Sequence, residues 1–97
     1  MIMKVLLVED DENKRSQIEG FLNSSFPGIE PEQAKSLQAG VRKIRSCKFD
    51  LVLLDMTLPN YDPSPDEPSG GSTHSFGGRE FLKQSSRFGI TTPVIVV

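Results

Sequence analysis

The run from Asp50 to Pro59, Asp-Leu-Val-Leu-Leu-Asp-Met-Thr-Leu-Pro, restricts what the chain can fold into more than any other stretch. Leu51, Val52, Leu53 and Leu54 are apolar without alternation, the pattern of a strand buried on both faces of a parallel sheet. A carboxylate, Asp55, follows at once. Open α/β sheets bind ligands along the rim formed by the carboxyl ends of their strands, so Asp55 points to where chemistry would take place. Pro59 then stops a return to regular structure.

A second stretch repeats this design. Val5 to Val8 are apolar, and Glu9, Asp10, Asp11 and Glu12 follow without a break, giving another buried strand that ends in carboxylates. From Asn13 the period changes. Ile18, Phe21 and Leu22 are spaced for the inward face of a first helix, with Lys14, Arg15, Gln17 and Glu19 opposite and an end near Asn23 to Ser25, before Pro27-Gly28. The alternation of elements then requires a strand over Glu30 to Lys35. Pro31, Glu32 and Lys35 fit that role only on an edge, where a missing donor is tolerated and charges blunt the ladder. Ser36 can cap a second helix with Leu37, Val41 and Ile44 inward despite Gly40, and Phe49 closes it.

Between about residues 60 and 77 the composition shifts to Pro, Ser, Gly and Asp, and periodicity is lost, as in a long functional or disordered loop. A third helix is predicted from about Gly78 to Phe88, with Phe81, Leu82 and Phe88 inward and Gly89 as its cap. Val94 to Val97 have the composition of a buried fourth strand. Four strands alternating with three helices imply a doubly wound parallel sheet.

At 97 residues there is room for one domain, residues 1–97, and a net charge of -2 with mixed signs does not mark a nucleic-acid surface. Arg42, Lys43, Arg45 and Lys48 form a local basic group that reads as a solvated helix face. The single cysteine, Cys47, reads as a reduced thiol of a cytosolic protein. Lys4 and the acidic run interrupt the apolar start, which is therefore read as neither signal peptide nor membrane span. A soluble, cytoplasmic chain is expected.

If the first and third strands are neighbours, Glu9, Asp10 and Asp55 meet in one crevice. Three carboxylates there repel one another, and a divalent cation would relieve them. Oxygen-only ligands at an open site favour Mg²⁺ with retained waters. Asp55 would then be placed as a nucleophile toward a phosphoryl donor, forming an aspartyl phosphate. Taken alone, the acidic run is also what a solvated strand end leading into a helix N-terminus would show. Asp55 alone is equally ambiguous; the joint pattern narrows the choice.

In these motifs the chain resembles the receiver domains of two-component response regulators. Lys4-Val-Leu-Leu-Val-Glu-Asp-Asp11 is similar to their first strand and acidic pair, and Asp50 to Pro59 to their phosphoacceptor strand. Gly78-Arg-Glu-Phe-Leu82 resembles the start of their third helix, and Thr92-Pro-Val-Ile-Val-Val97 their fourth strand. The resemblance implies a flavodoxin-like sheet of order 2-1-3-4 and a phosphoryl group accepted on Asp55. It also implies Mg²⁺ held by Asp10, Asp55 and the main-chain carbonyl of Thr57, with Glu9 bound through water. The donor would be a histidine kinase or a histidine phosphotransfer protein, and the domain itself would touch neither nucleic acid nor membrane.

Two departures from the family stand out. Residues of about 60–77 form an insertion beside the phosphorylation site, carrying His74, Asp62, Asp66 and Glu67, all read as solvated loop residues. The Ser or Thr after strand four and the Lys at the end of strand five do not occur. Thr91 and Thr92 are no substitutes, being at the far end of strand four, roughly 16 Å from the rim at about 3.3 Å per residue. Without a fifth strand and the last helices, Val94 to Val97 become an apolar edge, and either a longer chain or self-association through that edge is expected. The rival readings are a non-phosphorylated interaction module on the receiver scaffold and a small hydrolase using Asp55.

Overall fold

The computed structural model describes residues 3–56, 58 and 77–97. Their elements run β1 (Met3–Val8), α1 (Glu12–Ser25), β2 (Ile29–Ala34), α2 (Leu37–Ser46), β3 (Leu51–Leu54), α3 (Gly77–Arg87) and β4 (Val94–Val96). The strands form one parallel sheet in the order β2-β1-β3-β4. This is the flavodoxin-like arrangement expected from the sequence. Among the described residues, no helix is long and apolar enough to cross a membrane.

The central strands show why their sequences lack alternation. Val5, Leu6, Leu7 and Val8 of β1 are all fully buried, and Val52, Leu53 and Leu54 of β3 are buried beside them. Successive side chains point to opposite faces of a strand. Leu6, Val8, Val52 and Leu54 pack with Leu37, Val41 and Ile44 of α2 and Phe81 of α3, while Val5, Leu7 and Leu53 pack with Leu22 of α1. One layer of apolar strands therefore serves two cores, which period-two alternation could not do. Phe49, just before β3, belongs to the α2–α3 core.

β2 lies on the edge, as its proline and charges require. Pro31 stands opposite Val5 in the ladder, and Glu32 is within 4.0 Å of the Lys4 ammonium and 3.7 Å of the Lys43 ammonium. Caps set the helix starts. The Asp11 carboxylate accepts from the amides of Asn13 (2.9 Å) and Lys14 (3.2 Å), and Ser36 Oγ accepts from Ala39 N at 3.2 Å, each satisfying amides that lack helical partners. α3 closes on Gly89 (φ 71), with Ile90 N donating to Ser85 O (2.9 Å) and Gly89 N to Ser86 O (3.0 Å), the paired bonds of a Schellman motif.

Four side-chain assignments are corrected. Phe21 is 60% exposed, stacked edge-to-face on Phe26 instead of entering the core. Arg15, assigned outward, is buried: it shares a face with Ile18 and Leu22 at spacings of three and seven, and acceptors from outside the helix satisfy its guanidinium. Leu82 and Phe88 are exposed. The buried face of α3 instead runs through Gly77, Gly78, Phe81 and Ser85, and Phe88 lies beyond the helix under the Arg45 guanidinium, 4.1 Å from the ring centroid. Gly40 makes room for Phe81: a Cβ there would lie 3.1 Å from Phe81 Cε2.

Phe81 and Phe21 thus have opposite roles despite equal hydrophobicity. Phe81→Ala is expected to cost about 3–5 kcal/mol, and Phe21→Ala less than about 1 kcal/mol, in urea unfolding followed by far-UV circular dichroism. Equal costs would contradict this packing.

Candidate functional site

The site begins with a register. β1 and β3 pair with Val8 opposite Leu54, so Glu9 and Asp55 are each the first residue beyond their strands. Both positions are held by main-chain bonds: Asp55 N donates to Val8 O and Glu9 N to Ala34 O, each at 2.9 Å. Glu9, Asp10 and Asp55 each bring a carboxylate oxygen to within 4.8 Å of the others. Glu9 and Asp55 are buried while Asp10 is exposed, so the crevice opens toward solvent through Asp10.

Burial and mutual repulsion are legible in the protonation of these groups. Desolvation, followed by a hydrogen bond to Asp55, raises Glu9 above the usual carboxylate range, and Asp10 is raised by the same two causes in the same order. Two cationic side chains offset the charge. Lys14 Nζ lies 3.2 Å from Glu9 Oε1, and its pKa is raised by the close approach of that carboxylate. The Arg15 guanidinium donates to the main-chain oxygen of Glu9 (3.1 Å) and to Gln33 Oε1 (3.0 Å), bridging the acidic turn to β2. Gln33 Nε2 in turn donates to the Glu19 carboxylate.

The floor after β3 is fixed by the start of α3. Gly78 N donates to Met56 O at 3.1 Å, and a Cβ at Gly78 would lie 2.7 Å from the Asp55 carbonyl oxygen and 2.5 Å from Met56 Cα. Only glycine allows the helix to begin against the backbone that carries Asp55.

Of the residues singled out in the sequence, Glu9, Asp10 and Asp55 converge. Thr57 lies outside the described residues, as do His74, Asp62, Asp66 and Glu67. Thr92 is at the opposite end of the sheet, where its Oγ1 donates to Phe49 O at 3.4 Å. Sequence reasoning assigned Lys14 and Arg15 to the solvated side of the helix and missed their part in the site. One signal was available: Lys14 occupies the first turn of a helix, where the dipole disfavours cations, unless a carboxylate is close.

The donor set fits a hard dication. It consists of three carboxylates, and burial disfavours the ionised forms of Glu9 and Asp10 until a cation is added. Two oxygens sharing one Mg²⁺ can stand at most about 4.2 Å apart, so a spread of up to 4.8 Å suits an ion held partly through water.

The doubly wound sheet that carries these three carboxylates on adjoining strand tips has the fold of solved receiver domains. No family model matches the chain. It is 40% identical over 95 residues to an uncharacterized protein of Sinorhizobium fredii, covering 98% of this chain and 63% of that protein. It is 31% identical over 96 residues to the Detocs response regulatory protein of Enterobacter cloacae, covering 98% and 64%. Among solved structures, the MaeR response regulator bound to beryllium trifluoride superposes with a TM-score of 0.75 at 21% identity, over 99% of this chain and 66% of that one. A Francisella response regulator receiver domain gives 0.66 at 25% identity, over 97% and 64%. The chain is a relative of the response regulators and has the fold of their receiver domains. It spans somewhat less than two thirds of the length of the two curated relatives.

Removing one carboxylate should therefore stabilise the metal-free fold. A carboxylate raised in the folded state binds protons more tightly there than in the unfolded chain. Stability consequently falls as pH rises from the unfolded value through the folded one, and the full penalty is present above the folded one. Asp55→Asn, in chelator at pH 7.5, is expected to raise stability by about 1 kcal/mol, roughly 4–8 °C in Tm. The gain should shrink as the pH approaches 4. A lower Tm for the variant at neutral pH would contradict the repulsion described.

Proposed function

We propose that the chain is a phosphoryl-accepting signalling domain in which Asp55 is the acceptor. The observation that carries this reading is the convergence of Glu9, Asp10 and Asp55 at the tips of β1 and β3, with Asp55 at the end of the central strand. In the proposed step an Asp55 carboxylate oxygen forms a bond to phosphorus as the donor's phosphorus–nitrogen or phosphorus–oxygen bond breaks and the leaving group takes up a proton. The product is an aspartyl phosphate, which water later hydrolyses. Asp10 and Asp55 would hold Mg²⁺ directly, with the Thr57 main-chain carbonyl, and Glu9 through water. The ion would supply charge neutralisation for the transferring oxygens.

The role of the protein residues is positional. The β1–β3 register holds Asp55 facing the acidic pair, and the Arg15 bridge keeps the Glu9–Asp10 turn against the sheet. The donor in this reading is a histidine kinase or a histidine phosphotransfer protein, met in the cytoplasm. Residues 1–97 form an incomplete receiver unit with an insertion at about 60–77. The chain works as a switch without substrate turnover, and the exposed β4 edge is its surface for self-association.

Incubation with acetyl phosphate and Mg²⁺ is expected to add one phosphoryl mass by intact-protein mass spectrometry. The adduct should be absent in Asp55→Asn and in the presence of chelator. No adduct with acetyl phosphate or phosphoramidate would overturn the reading. Partner binding unaffected by Asp55→Ala would favour an interaction module that keeps only the scaffold.

A further inference from the structure

The ion pair between Lys14 and Glu9 is not absorbed by the reading above. Glu9 is 1% exposed, and one of its oxygens lies 3.2 Å from the Lys14 ammonium, which reaches in from the half-exposed first turn of α1. The other oxygen accepts from Asp11 N at 3.2 Å. Both Glu9 oxygens are thus engaged by the chain itself, in a cluster that also contains Asp10 and Asp55.

We propose that Lys14 is a built-in counter-cation of the acidic crevice that competes with the divalent ion for Glu9 and so sets how tightly that ion is held. The inference rests on the metal pocket described under Proposed function. Its physical basis is simple. An ammonium this close to the cluster lowers the negative potential that draws a second cation in, and a metal or metal-bound water that takes Glu9 must displace the lysine or share the carboxylate with it. The lysine stem is flexible, and its nitrogen can withdraw to solvent from a side chain that is already 45% exposed. Without metal, the same ammonium offsets the burial of Glu9. Lys14 therefore has opposite effects in the two states: it favours the metal-free fold and opposes metal binding.

A residue with a merely structural role would not show that opposition. Calorimetric titration with Mg²⁺ and with Mn²⁺ should find Lys14→Gln binding about three- to tenfold more tightly than the wild type, while its Tm in chelator falls. Lys14→Arg, which restores the charge, should return the affinity toward the wild-type value. The Tm gain on saturation with Mg²⁺ should be larger in Lys14→Gln than in the wild type, giving a second readout that does not depend on phosphorylation. Wild-type binding that Asp55→Asn abolishes but Lys14→Gln leaves unchanged or weakens would overturn this inference alone. Absence of binding in the wild type and in Lys14→Gln would overturn the metal pocket and the inference together. Binding seen only in Lys14→Gln would support both.

Discussion

The pairing of β1 with β3 is the constraint from which the rest follows. Parallel registry of Val8 with Leu54 places the next residues of both strands side by side, and in this sequence they are carboxylic acids. The apolar strands that impose this registry are fully or nearly fully buried, so the acids cannot separate without breaking the two cores at once. Each Leu or Val buried in those strands contributes roughly 1.5–3 kcal/mol. Mutual repulsion of a few carboxylates is weak against such a sum, and the fold can hold them together at a standing cost. That stored repulsion is what a cation in the crevice would relieve.

The neighbouring elements work to hold this arrangement. α1 begins one residue after its Asp11 cap, and its first turns return Lys14 and Arg15 toward the strand tip they have just left. Lys14 addresses the Glu9 side chain and Arg15 its main chain, so one carboxylate is fixed by two consecutive residues that act on different atoms. On the other side, α3 starts so close to the backbone of Asp55 and Met56 that only Gly78 fits. Position and charge at the site are thereby set by segments far apart in sequence, which is how a rigid scaffold can carry groups that resist being together.

Much of this was readable before any coordinates. The non-alternating runs of β1 and β3 announced burial on both faces, and an edge place was the one reading that reconciled Pro31 with a strand. The acidic residues were identifiable because they follow those runs immediately. What the sequence concealed has a common cause: it depends on partners distant along the chain. Arg15 is buried because Gln33 and the Glu9 carbonyl accept from it, and no local pattern reports that. Phe21 is exposed because Ile18 and Leu22, with Arg15, already fill the narrow face α1 presents to the sheet. Gly40 looked like a flaw in α2 until Phe81 was found lying against it. Periodicity identifies a helix more readily than it ranks which apolar side chains are used.

The two edges of the sheet are unlike, and the difference bears on the site. β2 is blunted by Pro31 and by Glu32 within reach of two lysines, features that discourage further pairing. Ile95 and Val96 of β4 and the following Val97 are exposed, with neither charge nor proline among them. Among the described strands, the features that discourage pairing are therefore confined to the β2 side. The β4 side adjoins the acidic crevice: Val97 N donates to Leu54 O at 3.0 Å, and Leu54 immediately precedes Asp55. A strand added along β4 would stiffen the segment bonded to the tip of β3, whereas one added at β2 would reach Asp55 only through β1.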